Sequence, residues 1–102
     1  MTNSSLHNAA TSNAVTSGIN SKDAICLALT GLTEKNDNHN QAVAELRKSG
    51  RVGNALATTF SRLLKLKPKA QYQSESMSAT DAAKAVDWAA KMFEGARSIV
   101  GS

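Results

Sequence analysis

Lys67 is the residue in this chain with the strongest reason to do chemistry. Projected at about 100° per residue, the helix pattern of residues 56–69 puts Arg62, Lys65 and Lys69 on an outer face, opposite Leu56, Phe60 and Leu63. Lys67 falls in the middle of the apolar stripe if the helix runs that far. A charge there must snorkel to water or meet a carboxylate or a phenol. Asp23, on the flank of an earlier apolar stripe, and Tyr72 are the candidates. The competing expectation is that Pro68 ends the helix at this point, because proline has no donor for the Leu64 carbonyl and its ring crowds it. Lys67 would then escape to water.

Other chemistries are poorly supplied. Cys26 is the only cysteine, which excludes an intramolecular disulfide and a cysteine zinc site, and it is expected as a small core residue. The histidines are His7 and His39 alone. With scattered carboxylates they make no metal ligand set, and no Gly-rich phosphate loop occurs. No cofactor and no metal are expected.

The charge is unevenly placed. The formal net charge is +4, but from Leu46 to Ser74 there is no Asp or Glu, while Arg47, Lys48, Arg51, Arg62, Lys65, Lys67 and Lys69 all lie there. A basic segment of this kind reads either as a contact for an anionic partner such as nucleic acid or an acidic protein, or as a solvated face.

The elements that must position these residues are helical. With 102 residues the chain makes one domain, residues 1–102, its first ten free to fray. Val15, Ile19, Cys26 and Leu29, flanked by Ile25 and Leu32, predict a first helix from about Ser4 to Leu32. Asp37 is the expected N-cap of a second helix presenting Ala42, Val43 and Leu46, which Gly50 stops. Gly53 and Asn54 mark the next boundary, and a third helix carries Leu56, Phe60, Leu63 and Leu64. Ser78–Asp81 resembles a capping box. After it Ala82, Val86, Ala89, Phe93, Ala96 and Val100 alternate by four and three residues, with Ala85, Trp88, Met92 and Ile99 as a second stripe. The expected architecture is an all-α, four-helix up-down bundle whose last helix is the longest and best defined. No apolar run is long enough to span a membrane, and the N-terminus lacks the basic start and apolar stretch of a secretory signal. A cytoplasmic protein is expected.

Three stretches together resemble the HEPN superfamily, most closely an actinobacterial-type bacterial branch. Gly18-Ile19-Asn20-Ser21-Lys22-Asp23-Ala24-Ile25-Cys26 is similar to that branch's Gly-Ile-x-x-x-Asp-Ala-Ile-Cys signature. Asn38-His39-Asn40-Gln41-Ala42 resembles its Asp-His-x-x-Ala segment, with Asn38 in place of the acid. Leu63-Leu64-Lys65-Leu66-Lys67-Pro68-Lys69-Ala70-Gln71-Tyr72 looks like its Leu-Leu-x-Leu-Lys-x-x-Ala-Glu-Tyr, and Asp81–Val86 also fits. The resemblance implies a bundle of four or five helices, often dimeric, found among ribonuclease toxins of toxin–antitoxin pairs, effectors of antiviral defence, and non-cutting binders of RNA or nucleotides. Relative to the family the chain is short at its N-terminus, which implies an opening helix missing or reduced.

The ribonucleases of that family share an Arg-x(4–6)-His motif, in which the His moves the proton of the attacking 2′-hydroxyl and the Arg stabilises the phosphorane. Here both histidines precede every arginine, and Ala70 stands where the imidazole would be. The expectation is therefore no ribonuclease activity of the family's usual kind but a binding module for RNA or a nucleotide-bearing partner, within a bacterial toxin–antitoxin or defence system. Asp23, His39, Lys67 and Tyr72, the polar residues inside the resembling motifs, would line its site, with Lys67 as cation and His39 as donor. Arg47, Lys48, Arg51, Arg62, Lys65 and Lys69 would form the basic face. The alternatives are a protein-interaction module, as a homodimer or with an antitoxin or nucleotidyltransferase partner, and a metal-independent ribonuclease with a non-standard site. A membrane is not among the expected partners.

Overall fold

A helix of 28 residues spans about 42 Å at 1.5 Å per residue, and that is the longest dimension of this molecule, 42 Å. The helix is α1, Asn3–Thr30, so one element runs the whole length. The computed structural model describes residues 3–33, 38–68 and 78–100. Within them α1 is followed by α2 (His39–Lys48), α3 (Arg51–Lys65) and α4 (Ala79–Val100), with no strand among the described residues. The all-α bundle is what the periodicity predicts. The longest helix is the first and not the last, whose length is 22 residues.

Each boundary has a local cause. α1 stops two residues short of expectation because Gly31 takes a left-handed φ of 76°, donating its N–H to the Leu27 carbonyl at 2.9 Å. The Thr30 hydroxyl donates to the Cys26 carbonyl at 2.7 Å and accepts from the Leu32 N–H at 3.3 Å, wrapping the end. Asn38 is the N-cap of α2: its Oδ1 accepts from the N–H groups of Asn40 (2.9 Å) and Gln41 (3.2 Å). The expected cap, Asp37, lies outside the described residues.

Gly50 is the single residue between the α2 C-cap, Ser49, and α3, and its φ of 145° suits glycine. Gly53 marks no boundary. It sits in the first turn of α3, where a β-carbon would run into the Leu46 carbonyl, so its bare backbone lets α3 close on the end of α2. Before α4, the Ser78 hydroxyl accepts from the Asp81 N–H at 3.0 Å, one half of the expected capping box.

The core takes Leu46 from α2, Phe60, Leu63 and Leu64 from α3, and Val15, Ile25 and Cys26 from α1. From α4 it takes Met92 and a row of alanines, Ala82, Ala85, Ala89 and Ala96. Two sequence-based expectations shift. Leu29 and Leu32, assigned to the apolar stripe of α1, are 40% and 75% exposed. The buried face of α1 runs instead through Thr11, Val15, Gly18, Lys22 and Cys26, a row with the right helical spacing but mixed chemistry. On α4, Val86, Phe93 and Val100 point outward while the alanines point in. Small side chains permit close helix approach, and the alanine row meets Ala14 and its neighbours on α1. The two helices lie side by side in the same sense: the hollows between them step from Ala10 and Val86 to Ala24 and Ala96. The Thr11 hydroxyl is buried in this region with no hydrogen-bond partner.

Candidate functional site

Among the described residues the buried charge is Lys22, whose side chain is 2% exposed. Its Nζ donates to Glu45 Oε1 of α2 at 2.7 Å and to Asp23 Oδ1 at 3.2 Å. Thr33, just past α1, closes the group: its hydroxyl donates to Asp23 Oδ1 at 2.7 Å, has Glu45 Oε1 at 3.2 Å, and lies 3.4 Å from Nζ. The helix places Lys22 inward because it is seven residues after Val15 and four before Cys26, in the same row. Burial opposes its charge most strongly. The hydrogen bonds and negative charges of Glu45 and Asp23 outweigh that, so the ammonium holds its proton above the ordinary lysine range.

Cys26, fully buried one turn further on, responds the other way. Burial pushes its thiol up to about 11, and the Lys22 charge only partly offsets this. A thiol of that kind is not a nucleophile at neutral pH. The cluster thus has a charged, engaged ammonium, two paired carboxylates and a neutral thiol. Its chemistry is positional: it ties the end of α1, the segment after it and α2 into one unit. Outside it lies a shallow hollow of about 210 Å³ lined by Thr33, Glu45, Lys48 and Ser49, with Thr30 and Leu32.

Holding Glu45 inward fixes which side of α2 faces water. Arg47 and Lys48, two and three residues on, are exposed. Arg51 continues them across the Gly50 corner, and the outer face of α3 then presents Asn54, Ala55, Thr58, Arg62 and Lys65, all exposed. At about 100° per residue these fall within one sector, about 21 Å long from Arg51 to Lys65. Arg47 leans onto it, its Nη1 3.5 Å from Asn54 Oδ1. The five cations have no acidic residue among them from Leu46 to Pro68.

Of the residues expected at a site, Asp23 lies in the Lys22 cluster. His39 is half-buried at the first position of α2 and Lys67 is half-buried beyond the Leu66 C-cap of α3, and neither hydrogen-bonds to Asp23. Tyr72 and Lys69 lie outside the described residues. Helix α3 ends at Lys65, with the Leu66 N–H on the Leu63 carbonyl at 3.1 Å, where Pro68 has no N–H to offer the Leu64 carbonyl. The interior lysine paired with Asp23 is Lys22, not Lys67. Its place in the Val15–Cys26 row was a signal available in the sequence; its second partner, Glu45, was not, being 23 residues away on another helix.

Among the described residues no group of three or more His, Cys, Asp and Glu is placed to hold a metal ion, and no helix is long and apolar enough to cross a membrane. No family model, curated protein or solved structure gives a significant match to the chain. The class that fold and site define is an all-α bundle with an interior lysine–carboxylate cluster and an outer basic face.

Proposed function

We propose that this chain is a non-catalytic, HEPN-like module that binds RNA or a nucleotide-bearing partner in a bacterial toxin–antitoxin or defence setting, and that the contact is made by the outer faces of α2 and α3. The observation that carries the reading is the set of exposed cations Arg47, Lys48, Arg51, Arg62 and Lys65 on the outer sides of α2 and α3, with no Asp or Glu in the chain from Leu46 to Pro68. Cations so arranged neutralise phosphates and release counterions. The non-catalytic reading is supported by the order of histidines before arginines in the chain, which leaves no Arg-x(4–6)-His motif. The family and the biological setting rest on the three resembling stretches alone.

The test is a fluorescence-anisotropy titration with labelled single-stranded and hairpin RNA over a range of salt. If all five cations engage phosphates on a single strand, log K falls with log salt at a slope of about −3.5, taking −0.7 per contact. The double variant Arg51→Glu/Arg62→Glu, altering exposed residues only, should abolish the shift and leave the helical circular-dichroism spectrum intact. No binding by the unaltered protein at low salt would refute the reading.

A further inference from the structure

The cations on the outer sides of α2 and α3 fall into two groups. Arg47, Lys48 and Arg51 gather at the Gly50 corner, where Arg47 leans along α3 with its Nη1 3.5 Å from Asn54 Oδ1. Arg62 and Lys65 stand at the other end of α3. At 1.5 Å per residue, Arg62 is about 16 Å beyond Arg51 and about 12 Å beyond Asn54. Between the groups the exposed positions are Asn54, Ala55 and Thr58, three short side chains without charge. At about 100° per residue, Arg51, Thr58 and Arg62 fall within about 40° of one another, so the neutral stretch lies in line with the charges at its two ends.

The forms of nucleic acid make different demands of such a surface. A single strand bound without sequence preference needs ring faces on which its bases stack. Neither α2 nor α3 exposes a Phe, Tyr or Trp: Phe60, the one such residue in either helix, is 0% exposed. A B-form duplex is read through a major groove about 8.5 Å deep, which takes a helix that protrudes from its protein. α3 does not protrude. It packs against each of the other three helices, and its exposed positions fall within a sector of about 100°. An A-form RNA duplex has the opposite relief, a wide and shallow minor groove that displays 2′-hydroxyls between its phosphate rims. A recessed helix can lie across that groove, with a cation group on each rim. The Asn54 amide and the Thr58 hydroxyl, which both donate and accept, then stand over the ribose hydroxyls.

We propose that the ligand of this surface is double-stranded RNA, bound with α3 across its minor groove; the assignment rests on the RNA-binding reading above and narrows it. Arg47, Lys48 and Arg51 hold one phosphate rim, Arg62 and Lys65 hold the other, and Asn54 and Thr58 bond to 2′-hydroxyls. What is recognised is the shape of the helix and its ribose, not its base sequence.

Fluorescence anisotropy with an RNA duplex of about 16 base pairs, one of its strands alone, and the DNA duplex of the same sequence tests this. The RNA duplex should bind about tenfold or more tighter than the DNA duplex, the worth of two hydrogen bonds that deoxyribose cannot make. It should also bind tighter than the single strand, with a log–log salt slope of about −4.5 if all five cations engage, at the duplex value of −0.9 per contact. The double variant Asn54→Ala/Thr58→Val alters exposed residues only, so its circular dichroism should be unchanged. It should erase most of the preference for RNA over DNA duplex, a ratio that a merely structural role for the two residues would not move. A single strand or a DNA duplex bound as tightly as the RNA duplex overturns the assignment and leaves the RNA-binding reading standing, and so does an unchanged ratio in the double variant. Absence of binding to all three overturns both.

Discussion

Substituting Glu45 by Gln tests whether the Lys22 cluster holds the fold as its geometry implies. The side chain keeps its shape and loses its charge, so the 2.7 Å charge-assisted bond becomes an ordinary one while Nζ keeps the Asp23 carboxylate at 3.2 Å. Breaking a buried ion pair from one side costs about 3–5 kcal/mol because the remaining charge cannot rehydrate. Lys22 is 2% exposed and has no route to water. With Asp23 still present, the expected cost is about 2–3 kcal/mol. The opposite change, Lys22→Met, removes the cation between Asp23 and Glu45, whose side chains are 23% and 21% exposed and can recover some hydration. Methionine also fills the vacated space, so about 1–2 kcal/mol is expected there. The ordering, Glu45→Gln worse than Lys22→Met, is the distinctive result. Urea unfolding at neutral pH reads it directly, since a slope of about 2 kcal/mol per molar turns the Glu45→Gln cost into a midpoint shift of about 1 M or more. A Glu45→Gln cost below about 0.5 kcal/mol, or the reverse ordering, would show that the cluster is not held as described.

Further outcomes follow from the same geometry. Lys22 and Cys26 both have folded-state pKa values raised above their unfolded ones, so each contributes stability that is complete below its unfolded pKa and lost as pH rises through the folded one. Unfolding free energy should therefore decline from about pH 9 upward, with the thiol part of the window ending near its folded value of about 11, and Lys22→Met should flatten the upper part. Asn38→Ala removes an acceptor that satisfies two N–H groups of α2 and should cost about 1 kcal/mol in thermal unfolding, while Asn38→Asp should be tolerated. Gly53→Ala forces a methyl group toward the Leu46 carbonyl and should cost about 1–3 kcal/mol, seen as a lower urea midpoint.

Helix existence was legible in this sequence wherever spacing and punctuation agreed. The α2–α3 pair emerged from Leu46, Phe60, Leu63 and the stop near Gly50, and α4 from Ser78 and its long apolar run. What periodicity could not decide was which of two adjoining stripes on α4 is buried. Val86, Phe93 and Val100 have more to gain from burial than alanine, but a neighbouring helix can come close only against small side chains, and α1 approaches on the alanine side. On α1, Val15, Ile25 and Cys26 are in the core as expected, and only the C-terminal part of the face was misplaced, for a related reason. Counting apolar residues favoured Leu29 and Leu32, while the real interior row contains Thr11, Gly18 and Lys22, whose burial depends on partners and packing supplied by other helices. Asp23 does meet an interior cation, but it is Lys22 of its own helix and not Lys67. Nothing local marks Glu45 as the carboxylate that would make Lys22 tolerable inside.

The lone hydroxyl of Thr11 sets a ceiling on heat resistance that one atom could lift. It is buried with nothing to bond to, a state that forfeits about 1–3 kcal/mol of solvation without return. Valine has nearly the same outline, so Thr11→Val should raise the melting temperature by several degrees, at about 4–8 °C per kcal/mol for a domain of this size. The natural chain therefore runs cooler than its own architecture allows.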